Sequence, residues 1–354
     1  MRELRVICAA TLCLLGQAAF AGYDEALAAL QKKDYATAHP ELLIAANKGD
    51  ARAWNALGVM YLQGLGVKRN DSKALEYFEK AASDGNANAL NGIVQLLGQG
   101  SETVNKDPEH ARAWAWKFAH EKTANPYAAF VYYQLAIQNE LSILDHKGNV
   151  DRKRYQELAS RPENARELDA KAFEMLSIAA EGGYPPALSI AQMTLLERSG
   201  EGVAERALEL DALIQEKYKN QIPVQMAIQL NQEVTNLKNL QLLGKTYVSP
   251  RLYKDALPLV MVAAYAGSQT TTDTCDRAKV RVTQLQVIEP MRDKITLPIE
   301  ARLLDDVLFL KGRWRELWTI DVCGKTVTVP VRFEVDGWAG ANFTVEGKAV
   351  KLAN

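Results

Sequence analysis

Cysteine and histidine are scarce in this 354-residue chain, four of each, and their placement excludes several chemistries. There is no Cys-x-x-Cys and no histidine near a cysteine, so a zinc site is not expected. There is no His-Glu-x-x-His and no plausible nucleophile beside a base. His39, His110, His120 and His146 all fall in helix-like or insertion segments, where solvated or capping roles are the plain reading. An excess of either charge is also lacking: 42 lysines and arginines stand against 43 acids. Without a basic field, neither nucleic acid nor anionic lipid is an expected partner. A long hydrophobic run is missing too, because the apolar stretch "VICAATLCLLGQAAF" is shorter than the roughly 20 residues a spanning helix needs.

That stretch follows Arg2 and Arg5 and ends at Ala19-Phe20-Ala21, an A-x-A cleavage pattern before Gly22. Residues 1–21 therefore read as a secretory signal peptide, with a retained anchor as the alternative. A lipoprotein reading is weaker, since Ala10-Thr11-Leu12 lacks the small residue needed before Cys13. The expected location is the periplasm or outside the cell. Cleavage removes Cys8 and Cys13 and leaves Cys275 and Cys323. In an oxidising compartment that pair predicts a disulfide, against two unpaired buried thiols.

What the chain does have is repetition. The skeleton Ala, six residues, Ala-Ala, two residues, Gly occurs at Ala38–Ala45–Ala46–Gly49, Ala74–Ala81–Ala82–Gly85, Ala172–Ala179–Ala180–Gly183 and Ala256–Ala263–Ala264–Gly267. Positions i, i+7 and i+8 share one helical face, and small residues there let another helix come close. The glycine suits a left-handed helix stop. "DARAWNALGVMYLQGLGV" and "NANALNGIVQLLGQG" follow two of these stops with a shift of 36 residues. Two helices per 36-residue unit is an α-solenoid pattern.

Ala53-x3-Leu57-Gly58-x2-Tyr61-x2-Gly64-x-Gly66-Val67, followed by Lys73-Ala74 and Ala81-Ala82-x2-Gly85, resembles the Sel-one-like repeat, a relative of the tetratricopeptide repeat. The match is specific over Ala51 to Gly85 and worn elsewhere. The resemblance implies a right-handed solenoid of helical hairpins, expected over residues 22–268. Its two-glycine loop would join first to second helix, and Gly200-x-Gly202-Val203 mimics that loop. Neither loop has the Lys-Ser/Thr ending of a phosphate cradle. "DPEHARAWAWKFAHEK" reads as a diverged second helix, with one of Trp114 and Trp116 in the core and the other exposed or covered. "LDHKGNVDRKRYQELASRPENARELD" reads as a charged insertion with one or two extra helical turns. "YKNQIPVQMAIQLNQEVTNLKNLQLLGKTYVSPRLYKDAL" should supply further helices.

After the polar "TTTDTCDRAKV" the pattern changes. "EARLLDDVLFLKG" looks helical. From Trp314 the period drops to 2, with "ELWTIDV", the Cys323-Gly324-Lys325 turn, "KTVTVPVRFEV" and "NFTVEGKAVKL" as strands. Pro330 places its strand at an edge or its own nitrogen at a non-bonded position. Residues 275–354 are thus expected to form a small antiparallel α+β module. Its W-x-x-x-W…C-G-K ending resembles the tails of exported bacterial proteins and supplies no chemistry.

Asp305-Asp306 is a weak acid/base candidate, because adjacent helical residues point different ways. No catalytic residue, metal or cofactor is expected. The candidate surface lies on first helices, at positions outside the packing set: Arg52, Asn55, Val59 and Gln63, with Asn88, Asn91, Gln95 and Gln99 at the same offsets. Asparagine and glutamine donate and accept without the desolvation cost of charge. The plain alternative is solvated helix surface. Together with the resemblance, this implies a non-catalytic exported scaffold that holds another protein, an effector enzyme or an envelope component, with an immunity role as the finer reading. Binding or hydrolysis of cell-wall fragments or β-lactams, and function in the C-terminal module with the solenoid as spacer, are the rivals.

Overall fold

The computed structural model describes residues 22–120, 125–138, 151–160, 166–269, 275–276, 279–336 and 340–352. The proposed signal peptide, much of the charged insertion, His146 and the threonine run at 270–274 lie outside them. The chain divides into two compact units, Met1–Glu140 and Leu141–Asn354.

The first unit is helical: α1 over 22–31, α2 (Tyr35–Asn47), α3 (Ala51–Gln63), α4 (Asp71–Ser83), α5 (Ala89–Gln99), α6 (Pro108–Ala119) and α7 (Pro126–Ala136). From α2 onward each helix packs on the next, which is the repeat arrangement. Side chains of Asp34, Asp50, Asn70, Asp107 and Asn125 cap α2, α3, α4, α6 and α7 by accepting backbone N–H bonds. The alanine skeleton is core: Ala38, Ala45, Ala74, Ala81 and Ala82 are buried. Gly49 and Gly85 take positive φ of 86° and 83°, as left-handed stops do. Phe78 of α4 fits between two glycines of α3 and α5, 34 residues apart. A Cβ on Gly58 would lie 2.7 Å from its ring, and one on Gly92 2.2 Å.

Trp114 and Trp116 do not divide into one core and one exposed residue. Both are half-buried, because Ala111, Ala115 and Phe118 take the core-facing positions of α6. Trp116 stacks on His120 at 4.0 Å and leans on Tyr132 at 5.4 Å.

The second unit contains α8 (Arg152–Ala159), α9 (Glu167–Glu181), α10 (Pro185–Glu197), α11 (Val203–Leu213) running into a π-helical turn (Ile214–Tyr218), α12 (Val224–Gln241) and α13 (Pro250–Ser268). Five strands follow: β1 (Arg281–Thr296), β2 (Phe309–Val322), β3 (Lys325–Val335), β4 (Ala341–Val345) and β5 (Lys351–Leu352). They form an antiparallel sheet in the order β1-β2-β3-β4, with β5 also on β3. Trp314, Trp318, Ile320, Val327, Val329, Val331 and Phe333 are buried on the sheet. α13 packs along β3 and touches β2, β4 and β5, with Tyr253 stacked on Trp318 at 5.1 Å. The chain is thus mainly helical, with helical hairpin repeats and a C-terminal antiparallel sheet.

Three expectations change here. "EARLLDDVLFLKG" is not a helix: residues 301–307 form turns and β2 begins at Phe309. The amide of Leu303 donates to Glu181 at 2.8 Å and to Ser177 at 3.1 Å, so donors a helix would use internally serve α9 instead. Asp306, at φ 57°, is a turn residue and accepts from Thr296, so the Asp305-Asp306 pair stands on a turn. Gly267 does not stop its helix. It lies inside α13 where a Cβ would meet Val350 at 2.3 Å, and Gln269 at φ 51° ends the helix. Of the two alternatives for Pro330, the second holds: its strand is not at an edge. β3 is flanked by β2 on one side and by β4 and β5 on the other, with Pro330 in the gap between those two. Its carbonyl accepts from Glu346, so its ring nitrogen faces the same side and no ladder bond is lost. β1 is the strand the alternation did not show, because its pairing with β2 breaks register repeatedly.

Candidate interaction surface

The 36-residue spacing brings side chains of successive first helices together in the first unit. Asn55 on α3, Asn91 on α5 and Tyr127 on α7 are separated by one repeat each. The Tyr127 hydroxyl donates to Asn91 Oδ1, a direct bond between equivalent positions. One step back, the half-buried Asn55 has a solvent-inaccessible Oδ1 that accepts no hydrogen bond. Asn86 joins the same two helices, its Nδ2 donating to the Ala51 carbonyl at 3.1 Å.

The six residues expected to form the strip separate by environment. Gln63, Asn88 and Gln95 are exposed, as is Gln99. Asn91 is exposed and paired with Tyr127. Arg52 serves its own helix. Its guanidinium bonds both oxygens of the capping Asp50, at 3.1 and 2.7 Å, and lies 4.3 Å from the centroid of Tyr23. Burial acts to raise the Asp50 carboxyl, and the Arg52 bonds outweigh it and hold it below the usual range. The strip therefore has an anchored charged end and an uncharged middle. Tyr127 was not among the expected residues, although a shift of 36 from Asn91 finds it.

On the loop side of the same hairpins, Tyr61 forms a second cluster. Its ring stacks on Tyr77 at 5.6 Å, meets His39 edge-on at 5.9 Å and carries the Lys73 ammonium 4.7 Å from its centroid. Burial, then the nearby Lys73 charge, push the His39 imidazole below its ordinary value. Beside Tyr61 the two-glycine loop and the segment Gly100–Thr103 border a groove of about 1180 Å³. Arg69 closes on Asp71 with bonds of 2.8 and 3.0 Å and holds that buried carboxyl down. Gly64 and Gly66, at φ 70° and 67°, make the turn between helices. His110 faces Glu79 at 3.4 Å and His120 bonds the Trp116 carbonyl at 2.9 Å, both helix-surface or capping roles.

In the second unit Cys275 and Cys323 form a disulfide with Cα atoms 5.7 Å apart. Glu316 is a buried acid that the strand pattern did not single out. It accepts from Thr246 Oγ1 at 2.9 and 2.8 Å, Tyr247 N at 2.8 Å, Trp314 Nε1 at 3.0 Å and Trp318 Nε1 at 3.2 Å. Burial pushes its carboxyl up, and these donors oppose that. Its signal in the sequence is an acid at the buried-face position between two tryptophans, "WRELW".

Among the described residues no helix is long and apolar enough to cross a membrane. A family model of the Sel1 repeat matches residues 51–86, 92–119, 120–140 and 168–184. No curated protein matches the chain. Among solved structures, a Sel1 repeat protein from Oxalobacter formigenes is 17% identical, with 50% of this chain and 62% of that one covered and a TM-score of 0.35. The c5321 protective antigen of uropathogenic Escherichia coli, which displays an SLR fold, is 18% identical, with 68% and 54% covered and a TM-score of 0.27. The chain thus spans less than two thirds of the length of either.

Proposed function

This chain is a Sel1-like repeat protein in its helical part, and from that premise we propose that its first unit is a protein-binding scaffold. The observation that carries this reading is the register of Asn55, Asn91 and Tyr127 on three successive first helices, with Gln63, Asn88 and Gln95 exposed around them. Repeat arrays bind by adding area one unit at a time. An uncharged amide ladder suits an extended partner segment, whose backbone N–H and C=O groups amides can meet from either side. We take the binding to be non-catalytic, with an effector enzyme or an envelope component as the partner.

Photo-crosslinking tests it. A crosslinker at Gln95 should capture a discrete partner in the native host, and one at the exposed Lys80 of α4 should not. Asn55→Ala with Asn91→Ala should weaken capture while the helical signal stays intact. Equal capture from both sites, or unfolding by the double change, would remove the strip as the binding surface. Neutralisation of a toxic effector is the finer proposal on the same residues. It requires the captured protein to regain activity when Asn91→Ala releases it.

A further inference from the structure

The outer face of α12 in the second unit is short of charge. Among the exposed residues from Val224 to Leu242, the residue that caps the helix, Lys238 alone is charged, and Asp211 of α11 holds its ammonium at 3.1 Å. A helix face that meets only water is ordinarily polar and charged. Here Val224, Ile228 and Leu242 are instead large apolar side chains that are 74%, 58% and 84% exposed. With the exposed Thr235 they follow at intervals of four, seven and seven residues. At 3.6 residues per turn, all four therefore lie within about 40° of one another along the helix. Asn231 and Lys238, also exposed, divide the two intervals of seven, which gives the steps four, three, four, three, four of a helix-to-helix seam. The polar members already have partners in their own chain. Thr235 Oγ1 donates to the Asn231 carbonyl at 2.7 Å, and Gln215 donates to Asn231 Oδ1 at 3.1 Å. Covering the seam thus leaves neither Lys238 nor Thr235 unpaired.

We propose that this seam pairs with the same seam of a second copy of the chain, the two α12 helices running antiparallel about a two-fold axis midway between Asn231 and Thr235. Three features select that occupant. The seam is its own complement when reversed: Val224 meets Leu242 at both ends, Ile228 meets the methylene stem of Lys238, and Asn231 meets Thr235 in the middle. Each contact is made twice, as an isologous interface requires. Charges flanking a seam decide which helix it accepts. Here the flank on the open side is Gln225, Gln232 and Asn239, uncharged, so nothing repels an identical helix or calls for one of opposite sign. The direction follows from Lys238. A parallel pair would set Lys238 against Lys238, whereas the antiparallel pair sets it against Ile228.

Sedimentation velocity of the full chain over a concentration series tests the proposal and should show a monomer–dimer equilibrium. Ile228→Glu with Leu242→Glu sets acids into the seam and should raise the dimer dissociation constant by about thirtyfold or more. Both side chains are exposed, so the helical signal should not change. Should that variant fail to fold, cysteine cross-linking decides, and it reads the register as well. Val224→Cys combined with Leu242→Cys should link two copies under mild oxidation. Val224→Cys alone should not, because antiparallel packing holds the two copies of that position about 27 Å apart. A monomer up to the solubility limit, a dimer indifferent to the double glutamate substitution, or equal cross-linking by the single and double cysteine variants overturns the proposal.

Discussion

Glu316 has no exposed surface and no cationic partner, yet it stands on the apolar face of β2. What makes this tolerable is a ring of donors: two indoles, one hydroxyl and one backbone amide all point at its oxygens. The arrangement fastens the segment before α13 to the sheet, because Thr246 and Tyr247 belong to that segment. Glu316→Gln would replace one acceptor oxygen by an NH2 group facing donors, and a loss of about 1–3 kcal/mol is expected. The loss should depend on pH. Burial raises the folded carboxyl above its ordinary 4.5, so the unfolded chain releases its proton first as pH rises. The stability Glu316 contributes is therefore full below about 4.5 and declines as pH climbs through the folded value. Denaturant titrations from pH 4.5 to 8 should show wild type leading the glutamine variant most at the acid end, and a gap that widens toward pH 8 would contradict this. The same residue scale separates Arg52 from its neighbours. A helix-surface arginine reads in sequence as a free charge, and only the geometry shows it spent on Asp50 and Tyr23.

The helical hairpin is the element in which sequence and structure agree most closely, and the seam around Phe78 shows why. Small residues at fixed offsets have one explanation, close helix approach, so Ala74, Ala81 and Ala82 announce both the helix and its buried face. Gly58 and Gly92 extend that logic to the next layer. Replacing Gly92 by alanine should gain up to about 1 kcal/mol of helix propensity. Against this, the new Cβ would lie 2.2 Å from the Phe78 ring, which Gly58 confines from the other side. Overpacking of this kind costs about 1–3 kcal/mol, so Gly92→Ala should destabilise the first unit despite its better helix residue. Gly92→Ala with Phe78→Leu should recover part of the loss. A thermal midpoint unchanged or raised in the single variant would show that the ring has room to retreat. Strands were less legible because their signal is weaker. β3 alternates cleanly and was read from its valines, whereas β1 contains Pro290, Asp293 at φ 53° and successive register shifts that scramble its period. The stretch before β2 reads as a helix for a related reason. Its leucines do follow helical spacing, but Ser177, Glu181 and Arg206 take the backbone groups a helix needs.

At the scale of the molecule, the two units rely on different means of support. The described part of the first unit contains no cysteine, and its packing is local, each helix resting on the next. The second unit joins distant parts of the chain: Leu285 and Val287 of β1 donate to the carbonyls of Leu243 and Lys245, and Gly244 comes so close to β1 that a Cβ would lie 2.2 Å from the Leu285 oxygen. That contact covers a strand edge otherwise open to other chains. The disulfide belongs to the same system of long-range ties. It links residues 48 apart, from the segment after α13 to the turn between β2 and β3. Closing a loop of that length restricts the unfolded chain by about 4 kcal/mol in the entropy model. Two cysteines far apart in sequence, the pair expected to remain if residues 1–21 are cleaved, predict the pairing, whereas the Glu316 contacts need a fold to bring Thr246 to β2. Reduction should therefore act on one unit. Under a phosphine reductant, hydrogen exchange should quicken in α13 and in β1 to β5 while α2 to α6 keep their protection. Equal loosening in both units would mean that the first depends on the second for its stability, and no change in either would mean that the sheet and its buried Glu316 hold without the covalent link.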